Sequence, residues 1–194
     1  MVFTTEDPKL EKRMKIFNAA ISIIAKNGYH AATIQDIANE AGLAAGTIYN
    51  YFKNKEDMVF SLLYELVEMI NSKSEQKITA DMSAKEKLVS KLKVLITHIK
   101  DNPEVVRLLF VEMEHFLFMG EKSRGRLLEL YDQVYDKFES ILNDGIEKGE
   151  LELEIEEASR TMSNFILGAL HGFFVKNVLV EQNLSDKDTD TFIK

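Results

Sequence analysis

A chain of 194 residues with 45% hydrophobic and 29% charged residues has the composition of a soluble protein with a buried core. It contains no cysteine, which excludes disulfides, thiolate catalysis and Cys-ligated zinc. The formal charge of −8 argues against a nucleic-acid partner only if it is evenly spread, and it is not: residues 1–55 carry a net +2 and the remainder −10.

No uncharged apolar run approaches the roughly 18 residues of a membrane span, so no membrane partner is expected. Thr4 to Lys15 lacks the basic-then-apolar order of a signal peptide, which makes the cytoplasm the expected compartment. The two prolines, Pro8 and Pro103, both lie near candidate helix starts and point to an all-α fold.

The first helix is expected from Lys9 to Asn27, where Ile16, Ala20 and Ile23 with Phe17, Ile21 and Ile24 draw a broad apolar stripe ended by Gly28. Thr33 with Asp36 reads as a capping box opening a short second helix, whose apolar face is Ile34, Ile37, Ala38 and Ala41. Gly42 ends it. A third helix, Ala45 to Tyr51, carries Ile48 and Phe52 on one side, and Asn54 caps a long fourth helix. Ser83 with Glu86 caps a fifth helix through about Lys100, and Asn102-Pro103 opens another reaching roughly Met119. Gly120 to Gly125 reads as a polar connection. A long helix to Lys148 closes at Gly149, and the last major helix, about Glu156 to Val180, is almost wholly apolar from Phe165 onward. Ser185 with Asp188 looks like one more N-cap in a short terminal segment. The domain division read from this order is 1–54 and 55–194.

The second and third helices, separated by Gly42-Leu43-Ala44, read as a helix-turn-helix. With Ile48 and Phe52 facing inward, Gly46, Thr47 and Asn50 point outward and Tyr49 and Tyr51 flank them. A face meant only for water carries Glu and Lys; this one offers small, uncharged hydrogen-bonding groups behind Ala44, Ala45 and Gly46, which leave no bulk between backbone and a surface. That suits a major groove, with Lys53, Lys55 and Thr33 available to phosphates. The same spacing also fits a small closed core in which both tyrosines are buried, and helix-turn-helix geometry occurs in proteins that never meet DNA.

Gly28-Tyr29-His30, Thr33-Ile34-Gln35-Asp36-Ile37-Ala38 and Gly46-Thr47-Ile48-Tyr49-Asn50-Tyr51-Phe52-Lys53-Asn54-Lys55 together resemble the DNA-binding domain of TetR-family repressors, over about residues 12–60. The resemblance is strongest to the regulators of fatty-acid degradation, whose ligands are long-chain acyl-CoA thioesters. It implies a two-fold homodimer of all-helical subunits, each an N-terminal three-helix DNA-binding domain and a larger C-terminal ligand-binding and dimerisation domain. It also implies that Thr33, Thr47, Tyr49, Tyr51 and Lys55 touch phosphate and that Gln35, Ala45 and Asn50 face bases, with Gly46 beside them and Lys53 near the backbone or in solvent. The basic Lys9, Lys12, Arg13 and Lys15 form either an N-terminal arm toward DNA or a solvated face.

In the C-terminal part, the apolar helix through Phe165, Gly168, Gly172 and Phe173 is the candidate dimer interface, since two glycines four apart let another helix approach closely; close packing within the subunit is the alternative. Phe110, Met113, Phe116, Tyr131, Tyr135, Phe138, Met162 and Phe165 are candidate effector contacts as a set, although aromatics at helical spacing are also ordinary core. Few polar side chains accompany them, which favours a lipophilic effector. Glu112 and Glu114 read either as attracting a cationic lipophile or as a solvated face, the latter preferred. The four histidines show no metal spacing, and no catalytic motif, phosphate loop or cofactor signature is present, so neither enzyme activity nor a cofactor or metal is expected. The resulting expectation is a repressor on a palindromic operator, released by a lipophilic compound such as a fatty acyl compound. The competing reading is a helical DNA-binding or scaffolding protein without an effector, which needs no cavity.

Overall fold

The computed structural model describes residues 2–3, 8–152 and 158–193, and these form helices and connecting turns only. Helix α1 (Pro8–Asn27) ends at Gly28, whose φ of +80° supplies the left-handed turn. Helix α2 (Ile34–Ala41) starts on the reciprocal Thr33–Asp36 capping box and stops at left-handed Gly42. Helix α3 (Ala45–Tyr49) is two residues shorter than expected. The Ile48 carbonyl accepts from both Tyr51 and Phe52 amides, so the chain tightens into a turn that swings the Phe52 ring into the core.

Helix α4 (Lys55–Glu75) begins on Asn54, whose side-chain oxygen accepts the Asp57 amide, and α5 (Ala84–Asp101) begins on the Ser83–Glu86 capping box. Helix α6 (Glu104–Arg107) does not run on to Met119 as the sequence suggests. It widens into a π-helical turn over Leu108–Glu112 and then tightens into a 3₁₀ turn over Met113–Leu117. The cause is tertiary: this path turns Phe110 toward the body while aiming Glu112 and Phe116 at the head.

Helix α7 (Glu121–Glu147) begins directly after Gly120, so the segment expected as a polar connection is helical; Ser123 is buried there and donates to Glu56 at 2.7 Å, holding α7 to the first turn of α4. Helix α8 (Ala158–Phe174) continues as a π-helical turn over Val175–Val180, and the expected start at Glu156 lies outside the described residues. The short α9 (Asp186–Ile193) follows the Ser185–Asp188 cap.

One apolar cluster runs from Phe3, Phe17 and Ile37 through Ile48, Phe52, Phe60 and Leu63 to Phe116 and Leu130, so the core crosses residues 54 and 55 without a break. A smaller one joins Ile96, Ile99, Val106, Leu170 and Phe174. The basic residues near the N-terminus lie on α1 rather than on an arm. Arg13 stacks over Phe17 and Phe52 and reaches Glu65 at 3.4 Å, Lys15 pairs with Glu11, and the side chain of Lys9 lies outside the described residues. Ahead of α1, the amides of Val2 and Phe3 both donate to Asn18 Oδ1, folding that segment onto the head.

Ser159–Val180 is long and apolar enough to cross a membrane by length and composition alone. Arg160 and Lys176 interrupt it, so it holds no uncharged run of that length.

Candidate nucleic-acid interface and effector cavity

The exposed face of the head is made by α3 and the start of α2. Tyr49 is 58% exposed, and Tyr51, Asn50, Gly46 and Ala44 are also exposed; Thr47 and Ala45 are half-buried, and Ile48 and Phe52 are buried beneath them. The closed-core alternative is therefore overturned for both tyrosines. No side chain caps α3 at Ala44, and no atom lies within 4 Å of where a Gly46 side chain would begin, so the backbone stands open to a surface. Gln35 is exposed and donates to Asn39 at 2.9 Å. The exposed Thr33 hydroxyl accepts the Asp36 amide and donates to the Asp36 carboxylate, so capping already uses its donor.

Lys53 is exposed, whereas Lys55 is not the free cation the sequence suggests. Its ammonium donates to the carbonyls of Tyr29 at 2.7 Å, Ala32 at 2.8 Å and His30 at 3.4 Å, and sits 4.4 Å from the Tyr29 ring centre. Burial holds it below the usual lysine range. All three N–H bonds are engaged within the head, so Lys55 is a strut that shapes the α1–α2 loop and, through it, positions Thr33.

Below the head, α4, α5, α7, α8 and the π-helical turn enclose a cavity of about 280 Å³. Its apolar wall includes Leu66, Val67, Ile70, Leu95, Ile99 and Leu109, with Phe110, Tyr131, Tyr135 and Phe138 from the expected set. Three expected contacts do not line it. Phe116 is fully buried between Tyr29 and Phe60, Met162 is half-buried elsewhere on α8, and Phe165 is 68% exposed on the outer face of α8. The Met113 side chain lies outside the described residues. The periodicity that groups these residues cannot show that the 3₁₀ turn points Phe116 at the head, nor which side of α8 faces inward. Three polar lining residues, Asn71, Lys91 and Asn164, carry no signal in the sequence that marks them as contacts; His171, which the sequence offers either as a partly buried helix residue or as a group orienting a ligand's polar end, also lines the cavity, stacked on Phe110 at 5.0 Å. Among the described residues no cluster of His, Asp and Glu is placed to hold a metal.

Comparison with known proteins decides the family. A family model described as "Bacterial regulatory proteins, tetR family" matches residues 16–62, and one described as "Tetracyclin repressor-like, C-terminal domain" matches residues 81–174. The fatty acid metabolism regulator protein of Bacillus subtilis is 34% identical over 143 residues, 74% of this chain and 72% of that one. The chain belongs to the TetR family. It is a DNA-binding transcription regulator rather than an enzyme, and dimers are typical of TetR-family proteins. The crystal structure of FadR from Bacillus subtilis in complex with stearoyl-CoA has a TM-score of 0.81 at 27% identity, covering 93% of this chain and 97% of that one. FadR from Bacillus halodurans gives 0.83 at 24% identity, covering 98% and 97%, and so shares the fold.

In this TetR-family chain the junction between head and cavity holds a group the sequence misassigns. Glu112 is not part of a solvated face: it is 3% exposed and accepts the Tyr29 amide at 2.7 Å. Arg107 and His115 each approach its carboxylate at 3.6 Å, and His115 meets His30 edge-on at 4.9 Å. The side chain of Glu114 lies outside the described residues. Burial, and secondarily the charge of Glu56, pushes the Tyr29 phenol up to about 12.

Proposed function

We propose that this TetR-family regulator is a repressor that binds a palindromic operator as a homodimer and is released by a lipophilic small molecule such as a fatty acyl compound. The observation that carries the reading is the apolar cavity. Leu66, Val67, Ile70 and Asn71 of α4 form one wall of it, and the opposite end of α4 anchors the head at Asn54 and Lys55. A ligand there bears directly on the rod that sets the head's orientation. A helical DNA-binding or scaffolding protein without an effector has no use for such a space.

Thr47, Tyr49 and Tyr51 contact phosphates and Gln35, Ala45 and Asn50 meet base edges, with Gly46 permitting close approach and Lys53 adding charge. Thr33 reaches phosphate only by re-aiming its hydroxyl, and Lys55 acts by holding the loop. The exposed Phe165, Gly168, Ala169 and Gly172 line one side of α8, where a partner's α8 and α9 cover an apolar face that water otherwise wets; half-buried Phe173, 4.5 Å from Phe192, ties α9 to it. A DNA-binding regulator of bacterial type works in the cytoplasm.

Two heads in a two-fold dimer then read half-sites about 34–36 Å apart, and a ligand that tilts α4 changes that distance. Release follows only because the tilted form binds DNA less well. Spin labels on the two α3 helices, measured with and without an acyl ligand, test this: the reading expects a changed separation, and an unchanged one with ligand bound refutes the tilt.

A further inference from the structure

The end of the cavity farthest from the head contains a cation without a counter-charge. Lys91 is 5% exposed, and among the described residues no carboxylate lies within ion-pair distance of it. Its ammonium donates to Asn71 Oδ1 at 2.8 Å and lies 5.4 Å from the centre of the Phe138 ring. Asn71 is equally buried, and its own amide nitrogen has no hydrogen-bond partner. Both residues line the cavity. Two donors, one charged and one idle, thus stand at one wall of a space that is otherwise mostly apolar, and buried donors of this kind are normally satisfied.

We propose that Lys91 and Asn71 form a carboxylate-binding end of the cavity, and that the effector is an aliphatic monocarboxylate with its head on these two residues and its chain running toward Leu109 and Phe110. This rests on the cavity being the effector site. The ammonium and the Asn71 amide each donate to one carboxylate oxygen, and the pairing removes the cost of a lone buried charge. A purely hydrocarbon ligand, or the tail of a longer one, leaves the Asn71 amide idle and the Lys91 ammonium without a counter-charge. A cavity of about 280 Å³ with a mostly aliphatic and aromatic wall accepts at least a medium-length chain, for which decanoate serves as the probe. Its far end abuts the π-helical turn, two residues ahead of Glu112 and the contact to the head.

The surroundings of Lys91 support the same head group. Burial, with a smaller push from Lys137 on α7, lowers its pKa to about 8, against a weak opposing pull from Glu75 on α4. Glu75 and Lys137 are paired with each other at 2.8 Å, so neither serves as a free partner. The remaining titratable groups on the cavity wall are Tyr131 and Tyr135 of α7 and His171 of α8. A bound carboxylate returns the ammonium to its charged form, so binding at or above about pH 8 takes up protons.

The test is calorimetric titration of the full chain with decanoate, 1-decanol and methyl decanoate, in buffers of different ionisation enthalpy. Decanoate is expected to bind more tightly than decanol by roughly tenfold to a hundredfold, the range for a hydrogen bond to a charged group, with proton uptake near pH 8. The preference should shrink as pH rises above about 9, and Lys91→Met should abolish it, so that decanoate and decanol then bind about equally. Equal affinity for acid and alcohol, absence of proton uptake, or tighter binding of stearoyl-CoA than of decanoate overturns the proposal. The proton measurement uses the unaltered chain, so it stands whether or not Lys91→Met folds. Operator release by lipids that show no head-group preference would defeat this proposal alone; decanoate binding with no effect on DNA would defeat the proposed function and leave the site standing.

Discussion

The buried carboxylate of Glu112 accepts the backbone amide of Tyr29 across 83 residues of chain, joining the effector body to the loop that precedes the helix-turn-helix. The same loop is gripped by Lys55, so Tyr29 offers its amide to one element and its carbonyl to another. Glu112 closes the π-helical turn whose Leu109 and Phe110 line the cavity. A shift of that turn therefore reaches the head without passing through α4.

Glu112→Ala leaves the Tyr29 amide buried without an acceptor and is expected to lower stability by about 1–3 kcal/mol. It should also weaken the link between effector and DNA, raising the effector concentration needed for release more than it changes effector affinity. Glu112→Gln keeps an acceptor oxygen and should restore most of the stability. Thermal melts and effector titrations of a protein–operator complex check both.

Lys55→Met removes three carbonyl contacts and should destabilise the head by about 1–2 kcal/mol. Because Lys55 holds the loop, the dependence of operator affinity on salt should keep its slope. Lys53→Ala, by contrast, should lower that slope by about one with little effect on stability. Affinity measured over a salt series separates the two lysines.

On the recognition face, Gln35→Ala is expected to relax preference at one base pair by about 1–3 kcal/mol. Tyr49→Phe removes the hydroxyl proposed to contact phosphate and should weaken binding about equally on all sequences. Affinities for a panel of single-base operator variants check the contrast.

Much of the head was legible because its signals are local. A capping box needs only Thr33 and Asp36, a left-handed stop needs only Gly42, and the wheel that buries Ile48 exposes Tyr49 and Asn50. The body was less legible because its decisive contacts join residues far apart in sequence. Nothing near Glu112 names Tyr29, and nothing near Lys91 names Asn71 on another helix. The π-helical and 3₁₀ turns after α6 also shift the helical phase, which is why Phe110 reaches the cavity and Phe116 does not. For α8, an apolar stretch promises burial without saying whether the cover comes from the same subunit, and Phe165 lies on the uncovered side.

The dimer reading is tested by Gly172→Leu and Phe165→Asp. No atom lies within 4 Å of where a Gly172 side chain would begin, so leucine fits the single subunit and obstructs only a partner helix. Both variants should stay folded, sediment as monomers and lose operator affinity. A dimer that survives both substitutions places the interface elsewhere.

Lys91 predicts a pH dependence of stability. Its pKa is about 8 when folded and 10.5 unfolded, so between those values the unfolded chain binds more protons and stability rises with pH. Below about pH 8 the ammonium is charged in both states and the full burial cost is present, up to about 3 kcal/mol at roughly 1.4 kcal/mol per pKa unit. Lys91→Met should therefore stabilise the ligand-free protein near neutral pH and flatten the rise, as read from urea melts from about pH 7 to about pH 10.

The most direct measurement is fluorescence anisotropy of the purified chain on duplexes from the DNA upstream of its own coding region, over a salt series, with and without a lipophilic acid. The account predicts dimeric binding to a palindromic segment that weakens steeply with salt and is reversed by the acid. An intact head that shows no salt-dependent binding to any of these duplexes contradicts it.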